Sequence, residues 1–445
     1  MKTCATSDVV RSWEEIDFSR AEKSVKKLQR RIATAVRNGD FDKATTLYHR
    51  LIHSFYAKAL AVKKVTSTKG KRTAGVDGVI WRTPEDKFNA IGSLTRRGYK
   101  FSPHKRIYIP KKRGGKRAIS IPTMRDRAWL TLHKFALEPI AEVTADENSF
   151  GFRPARSASQ AVCRCMEILS HDPYPEWILK TDVKSFFDSI SQEWMMEHIP
   201  MDKTALRDLL SSGYVCYSMY HDSDNGLPQG GSLSNVISNM VLDGLADALI
   251  IDRAQYEDLN HWLDVMPIGE IVHEENDLCT NGTYCIEMIR YADDMMLVSD
   301  NPLILVGALP GVSSFLGERG LSLSREKTSF LNVKDGAVFL GYEVRKNNNG
   351  VYAVPSQKGV ASVLSKVKEL VACWPLDEDD SEKIREYRHS LKSIIRGWFA
   401  CYRGTATKES LLEVQDKIAH ELVKLGRTGE SSDNLKLQDI FNNLN

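Results

Sequence analysis

Two carboxylate-bearing segments stand out by residue type and spacing. In Trp177-Ile178-Leu179-Lys180-Thr181-Asp182 a short apolar run delivers Asp182 at its end. Tyr291-Ala292-Asp293-Asp294 lies between Ile286-Glu287-Met288-Ile289 and Met295-Met296-Leu297-Val298, so two adjacent aspartates sit where one apolar strand turns into the next. Like charges so close repel one another. A hard divalent cation relieves the repulsion. Mg2+ prefers carboxylate oxygen and often binds one or two protein carboxylates plus the phosphates of a substrate. Nucleotidyl transfer uses two such ions, one activating the attacking 3′-oxygen and one steadying the leaving pyrophosphate. Asp182, Asp293 and Asp294 could supply the shared ligands. The competing reading of Asp293-Asp294 alone is a solvent-exposed hairpin turn; the flanking apolar strands and a second strand-end aspartate weigh against it.

The elements that must position these groups follow from periodicity. Val25, Leu28, Ile32, Ala35 and Val36 recur at helical spacing; Asn38-Gly39-Asp40 interrupts, and Ala44 to Ala61 resumes the pattern. Residues 66–80 are loop-like. Arg106 to Pro110 and Arg117 to Ile121 read as two strands around Gly114-Gly115, a hairpin with a basic tip. Helices are predicted over 124–144, 157–169, 192–212, 232–250 and 303–319, and strands over 177–181, 285–290, 295–299 and 338–344. The polar, acidic stretch 252–283 reads as an insertion loop. From Ser356 to about Leu425 the pattern is helical, interrupted by the acidic linker 377–382, and the last twenty residues read as mobile.

The chain has 445 residues, which favours two or three subdomains. No apolar run is long enough to span a bilayer, and Met1 to Asp17 lacks the apolar stretch of a signal peptide, so a soluble cytoplasmic protein without a membrane partner is expected. Eight scattered cysteines with no CxxC pair support neither a zinc site nor a disulfide framework. The net charge is only +3, but it is unevenly spread. Lys23, Lys26, Lys27, Arg30 and Arg31, then Lys63, Lys64, Lys69, Lys71 and Arg72, then Lys105 to Arg117 form three basic groups, while acidic residues gather near 252–277 and 377–386. One such group is commonly a solvated face; three in succession favour a polyanion, because each neutralised phosphate releases counterions.

Taken in order, these segments resemble a known family. Tyr291-Ala292-Asp293-Asp294 resembles the reverse-transcriptase active-site signature, and its neighbours follow the order of group II intron-type reverse transcriptases. Ala74-Gly75-Val76-Asp77-Gly78 resembles their N-terminal motif. Ile109-Pro110-Lys111 through Arg117, with Ile121-Pro122-Thr123 and Arg125-Asp126-Arg127, resembles the fingers. Ser149-Phe150-Gly151-Phe152-Arg153-Pro154 with Ser159-Gln160-Ala161 resembles the next block. Asp182 to Asp188 is similar to motif A, Leu227 to Ser234 to motif B, Leu321 to Thr328 to motif D and Phe339-Leu340-Gly341-Tyr342 to motif E; Ile395 to Tyr402 resembles the thumb. The resemblance runs from about residue 20 to 425, and its specificity lies in the joint order of the blocks.

The resemblance implies an α+β right-hand polymerase. A basic helical extension would occupy 1–73, fingers 74–170, a palm of antiparallel sheet with helices 171–354, a helical thumb 355–427 and a flexible tail 428–445. It implies two Mg2+ ions held by Asp182, Val183, Asp293 and Asp294. Lys111 and Arg117 would hold the incoming dNTP triphosphate or contact nucleic-acid backbone. Phe186, or else Phe187, would exclude a 2′-hydroxyl, whichever points inward being core packing. Gln229 and Gly230 would line the nucleotide and template pocket, or form a turn before a helix. Lys327 would protonate pyrophosphate or balance charge. Arg153 would meet the template or make a structural ion pair; Gly341 and Tyr342 would grip the primer or pack in a sheet. Lys26, Lys27, Arg30, Arg31, Lys63 and Lys64 would anchor RNA.

The expected activity is RNA-directed DNA synthesis on a structured noncoding or intron RNA, primer-dependent or self-primed, through an RNA/DNA hybrid. Nothing near the C-terminus resembles the His/Cys-rich nuclease of many intron-encoded proteins, which favours a stand-alone bacterial antiphage enzyme over a group II intron maturase lacking endonuclease. A non-catalytic RNA chaperone and an RNA-dependent RNA polymerase are the rivals in other classes.

Overall fold

The computed structural model describes residues 10–96, 98–110, 116–171, 175–223, 225–249, 286–373 and 381–424. Three helices open the described chain: α1 (Phe18–Arg37), α2 (Phe41–His53) and α3 (Phe55–Ser67). Helix α1 buries Ala21, Val25, Ile32, Ala35 and Val36, and leaves Lys26, Lys27, Arg30 and Arg31 exposed. The Asp17 carboxylate accepts from Arg20 N at 2.9 Å, satisfying one of its unpaired first-turn amides. Gly39, at φ 71°, makes the expected break. A second break, where Ser54 takes extended backbone, was not signalled by the pattern.

After α4 (Pro84–Ser93), β1 (His104–Pro110) and β2 (Lys116–Ile121) pair antiparallel from Lys105↔Ile121 to Pro110↔Lys116, as the hairpin signal predicts. Helix α5 (Met124–Thr144) is buried nearly all round, with α1, α3 and the later helix α10 (Ser232–Leu242) packed on it. Asp126 locks its start, accepting from the hydroxyls of Thr123 at 2.6 Å and Tyr99 at 2.8 Å. The chain continues through α6 (Ala158–Leu169), β3 (Trp177–Asp182), α7 (Phe186–Ser189), α8 (Gln192–His198) and α9 (Lys203–Leu210). A hairpin that sequence patterning did not mark, β4 (Tyr214–Cys216) with β5 (Met219–His221), extends the first sheet to the order β2-β1-β4-β5. Helix α10 (Ser232–Leu242) follows; β6 (Glu287–Tyr291), β7 (Asp294–Ser299) and β8 (Ser329–Asn332) join β3 in an antiparallel sheet of order β6-β7-β3-β8.

This second sheet explains the unbroken apolar runs. Side chains alternate across a strand. Leu179, Met288, Met295 and Leu297 enter one core with residues of α5 and α10; Ile178, Ile289, Met296 and Val298 enter another with residues of α6 and the third sheet. Covered on both faces, β7 is apolar from Met295 to Val298 and β3 from Trp177 to Leu179. The third sheet, β9 (Ala337–Phe339), β10 (Tyr342–Asn347) and β11 (Gly350–Pro355), leads to helices Gln357–Ala372, Ser381–Tyr402 and Lys408–Lys424, which share a core around Val367, Leu391, Ile395 and Ile418.

Four sequence expectations are corrected. The helix expected over 192–212 is two short helices. The one over 232–250 stops at Leu242, because Asp243 turns to pair with Arg290 and Gly244 takes φ 89°. The one over 303–319 splits into Pro302–Gly307 and Leu309–Glu318, since Pro310 has no amide to continue the ladder. The single strand over 338–344 is β9 and β10, reversed at Leu340 (φ 50°) and Gly341 (φ 90°). The insertion expected at 252–283, the hairpin tip with Lys111 and the tail 428–445 lie outside the described residues. Among the described residues no helix is long and apolar enough to cross a membrane, and Cys163, Cys165, Cys216, Cys373 and Cys401 are free thiols.

Candidate active site

The register of the second sheet brings the acidic residues together. Asp182, at the end of β3, stands opposite Asp294, at the start of β7. Tyr291 pairs with Asp294, so Ala292-Asp293 is a two-residue loop. Ala292 takes φ 59°, as the primed turns that suit such hairpins require. A non-glycine residue in that region costs about 1–3 kcal/mol and persists only when its surroundings hold it there.

Those surroundings come from two places. Phe150 N donates to Arg290 O at 2.8 Å and Arg290 N to Asn148 O at 2.9 Å, laying segment 148–151 against the turn. Gly151 sits so close that a Cβ there would stand 2.8 Å from the Tyr291 carbonyl carbon and nearer still to Ala292 N. Behind the turn, the fully buried Arg290 pairs with Asp243 and, at 3.5 Å, with Asp146. Burial pushes Asp243 up to about 6 despite that partner.

The electrostatics are those of crowded acids with cations at hand. Burial, and then the Asp182 carboxylate, hold Asp293 above the ordinary carboxylate range, while Lys327 and Arg117 pull the other way. Asp294 is raised chiefly by burial; Lys180 opposes this, and Asp182 and Asp293 add to it. Lys327 Nζ is ion-paired with Asp182 Oδ2, and Asp182 Oδ1 is buried with no hydrogen-bond partner. Val183 forms an isolated bridge with Leu323, whose hydrogen bonds run from Lys184 N to Ser322 O and from Ser324 N to Asp182 O, so the Val183 carbonyl is not spent in it.

A hard divalent cation fits this donor set. All the groups offered are oxygens, one is an orphaned buried carboxylate oxygen, and the acids crowd one another. Among the described residues no three His, Cys, Asp or Glu side chains are already drawn into a closed metal cage, and lysines stand at two of the three acids.

The other sequence candidates separate. Arg117, exposed on β2, is near enough to act on Asp293. Gln229 O accepts from Ser120 N at 2.8 Å, and a Cβ on Gly230 would collide with the Ser120 carbonyl, so the close approach that needs this glycine is to β2. Phe186 is 4% exposed and packs in the core; Phe187 is the half-buried ring, so the candidate for excluding a 2′-hydroxyl moves to it. Arg153 is committed to structure: Nε and Nη2 bond the Glu142 carboxylate at 3.0 and 3.1 Å, and Nη1 bonds Asp146 O and Ser149 O. Tyr342 is 2% exposed and donates its hydroxyl to Cys401 O, while Gly341 O accepts from Tyr402 Oη at 3.0 Å and Ser356 N at 2.9 Å. Sheet packing occupies both residues.

Lys64 and Lys26 line a groove beside α1 and α3, and Lys63 lies there 3.6 Å from Glu22. A cleft of about 730 Å3 between β2, α5 and the start of α10 is lined by Ile119, Arg127, Phe152 and Gly230, and none of the three aspartates lines it. Sequence reading missed Lys180, Phe187 as first choice, and the buttress at Gly151 and Arg290. Lys180 had a signal, since two residues before Asp182 on one strand is the same face.

A carboxylate-bearing antiparallel sheet, with a basic hairpin sheet on one side and a helical bundle beyond, defines a right-hand polymerase. The family described as reverse transcriptase (RNA-dependent DNA polymerase) matches residues 109–344, and the N-terminal domain of reverse transcriptase matches residues 13–94. The chain belongs to the reverse transcriptase family. It is 28% identical over 395 residues to Protein YkfC of Escherichia coli K12, covering 83% of this chain and 96% of that one. It is 25% identical over 415 residues to the group II intron-encoded protein LtrA of Lactococcus lactis, covering 83% and 68%. The putative COX1/OXI3 intron 2 protein of Saccharomyces cerevisiae is 25% identical over 324 residues, covering 64% of this chain and 37% of that one.

Proposed function

We propose that this reverse transcriptase adds deoxynucleotides to a primer end on a structured noncoding RNA, with Asp182, Asp293, Asp294 and the Val183 carbonyl holding two Mg2+ ions. The observation that carries the reading is the register that sets Asp182 opposite Asp294, with Asp293 in the adjoining turn. The bound ions supply activation of the 3′-oxygen and charge neutralisation at the pyrophosphate. Arg117 holds the triphosphate from the β1–β2 hairpin, with Lys111 as its companion. Phe187 bars the 2′-hydroxyl of a ribonucleotide. Lys327, ion-paired with Asp182, would meet the departing pyrophosphate. The exposed cations of α1 and the neighbouring Lys63 and Lys64 take RNA phosphates, so the RNA is held mainly by charge and shape.

Antiphage defence in the cytoplasm is the use we propose for the DNA product. A group II intron maturase role is the second reading, favoured by the similarity to LtrA, whose name describes an intron-encoded protein. The test is primer extension on RNA by the wild type and by the Asp293→Ala, Asp294→Ala double variant, with sequencing of the copurified RNA. Extension should vanish in the variant. Full extension, or an RNA-folding function that survives while wild type makes no DNA, would refute the polymerase site. A short transcript encoded beside the gene supports defence, and an intron supports the maturase reading.

A further inference from the structure

Lys180 connects two parts of the site that belong to different sheets. It lies on β3 between Met296 of β7 and Ser329 of β8, on the strand face that Asp182 shares. Its Nζ donates to the carbonyl of Val338 at 2.9 Å and lies 3.8 Å from Asp294 Oδ1. Val338 is in β9, two residues before the reversal at Leu340-Gly341. One ammonium therefore spans the gap between a catalytic carboxylate and the strand that enters this reversal. A lysine side chain carries substantial rotamer entropy, and holding it between two acceptors tells against a loose surface contact.

We propose that Lys180 is a positioning residue for polymerisation: it sets the spacing between Asp294 and β9, and it serves as the counter-cation of Asp294 until a divalent ion takes that place. The inference rests on Asp294 being a metal ligand. Together with Lys327 on Asp182, it makes the resting acids partly neutralised, so that a cation must displace an ammonium at two carboxylates.

Two consequences separate this from a packing role. Removing the ammonium while keeping the stem, as in Lys180→Met, should make the metal-free protein bind a cation more tightly, because the competitor at Asp294 is gone. A partly exposed pair of this kind corresponds to about a 2- to 5-fold change in affinity. The same variant should lower kcat, by between about 10- and 100-fold if the acid and β9 lose their spacing, with the dNTP KM unmoved. A packing defect would lower thermal stability without tightening cation binding.

The experiment is a terbium-luminescence titration of the metal-free full chain as wild type, Lys180→Met, Lys180→Arg, Asp294→Ala and the Lys180→Met, Asp294→Ala double variant, alongside single-nucleotide extension and thermal melts. Lys180→Met should bind Tb3+ more tightly than wild type, Lys180→Arg should return toward wild type, and the tightening should vanish when Asp294 is absent. Unchanged or weaker Tb3+ binding by Lys180→Met, or equal tightening in the Asp294→Ala background, overturns the inference. Should Lys180→Met melt below the assay temperature, Lys180→Gln enters the same titration with the same expectations. Normal extension by Asp294→Ala would instead overturn the metal-site reading; an inactive Asp294→Ala beside a Lys180→Met indistinguishable from wild type removes only the role of Lys180.

Discussion

Replacing Gly151 with alanine should damage catalysis although Gly151 carries no chemistry. The added Cβ would lie 2.8 Å from the Tyr291 carbonyl carbon, against the 3.4 Å at which ordinary contact begins, a shortfall of about 0.6 Å. Its neighbours are backbone atoms of the turn, which cannot swing aside as a long side chain can. Segment 148–151 cannot retreat freely either, because Phe150 N and Arg290 N tie it to β6 and Asn239 Nδ2 bonds Gly151 O at 2.6 Å. The turn must yield, and Asp293 and Asp294 move with it. A misplacement approaching 1 Å costs up to about 100-fold in rate, and overpacking adds about 1–3 kcal/mol of instability. Single-turnover primer extension on RNA, with a thermal melt of the same preparation, measures both effects. We expect a fall in kcat well beyond any fall in dNTP affinity, from a protein that remains folded at the assay temperature. A Gly151→Ala enzyme with wild-type kcat would refute the claim that this segment sets the catalytic turn.

Two further outcomes follow from burial. Phe187→Val should erode the preference for dNTPs over NTPs, by up to about 100-fold, whereas Phe186→Ala should cost about 3–5 kcal/mol of stability and keep the preference; competitive incorporation assays and denaturant melts distinguish them, and the opposite pattern would restore Phe186. Asp243, pushed up to about 6 from its ordinary 3.8, binds its proton more tightly folded than unfolded, so raising the pH through that window deprotonates the unfolded chain first and weakens the fold, by on the order of 2 kcal/mol from this group. Asp243→Asn should remove that slope in denaturant midpoints measured from about pH 4 to about pH 6, and an identical slope in both proteins would refute the assignment.

Much of this was written in local patterning. The period of α1, the β1–β2 hairpin and the limits of α5 follow from which residues repeat and which cap, and these are short-range properties. Asp182, Asp293 and Asp294 could be named because carboxylates at the ends of strand-like runs rich in apolar residues are conspicuous. The order of the motifs sufficed for the family. What a linear pattern cannot encode is which neighbour consumes a polar group. Arg153 and Tyr342 each admit a ligand-facing and a structural reading in the sequence, and only the contacts with Glu142 and Cys401 O select the structural one. Adjacent Phe186 and Phe187 are alike as letters, and only the packing of α7 decides which ring is buried. Gly151, Arg290 and Lys180 matter through partners distant in sequence or in another sheet. Such contacts are set by how sheets and helices stack once the chain has closed, so tertiary structure alone determined them.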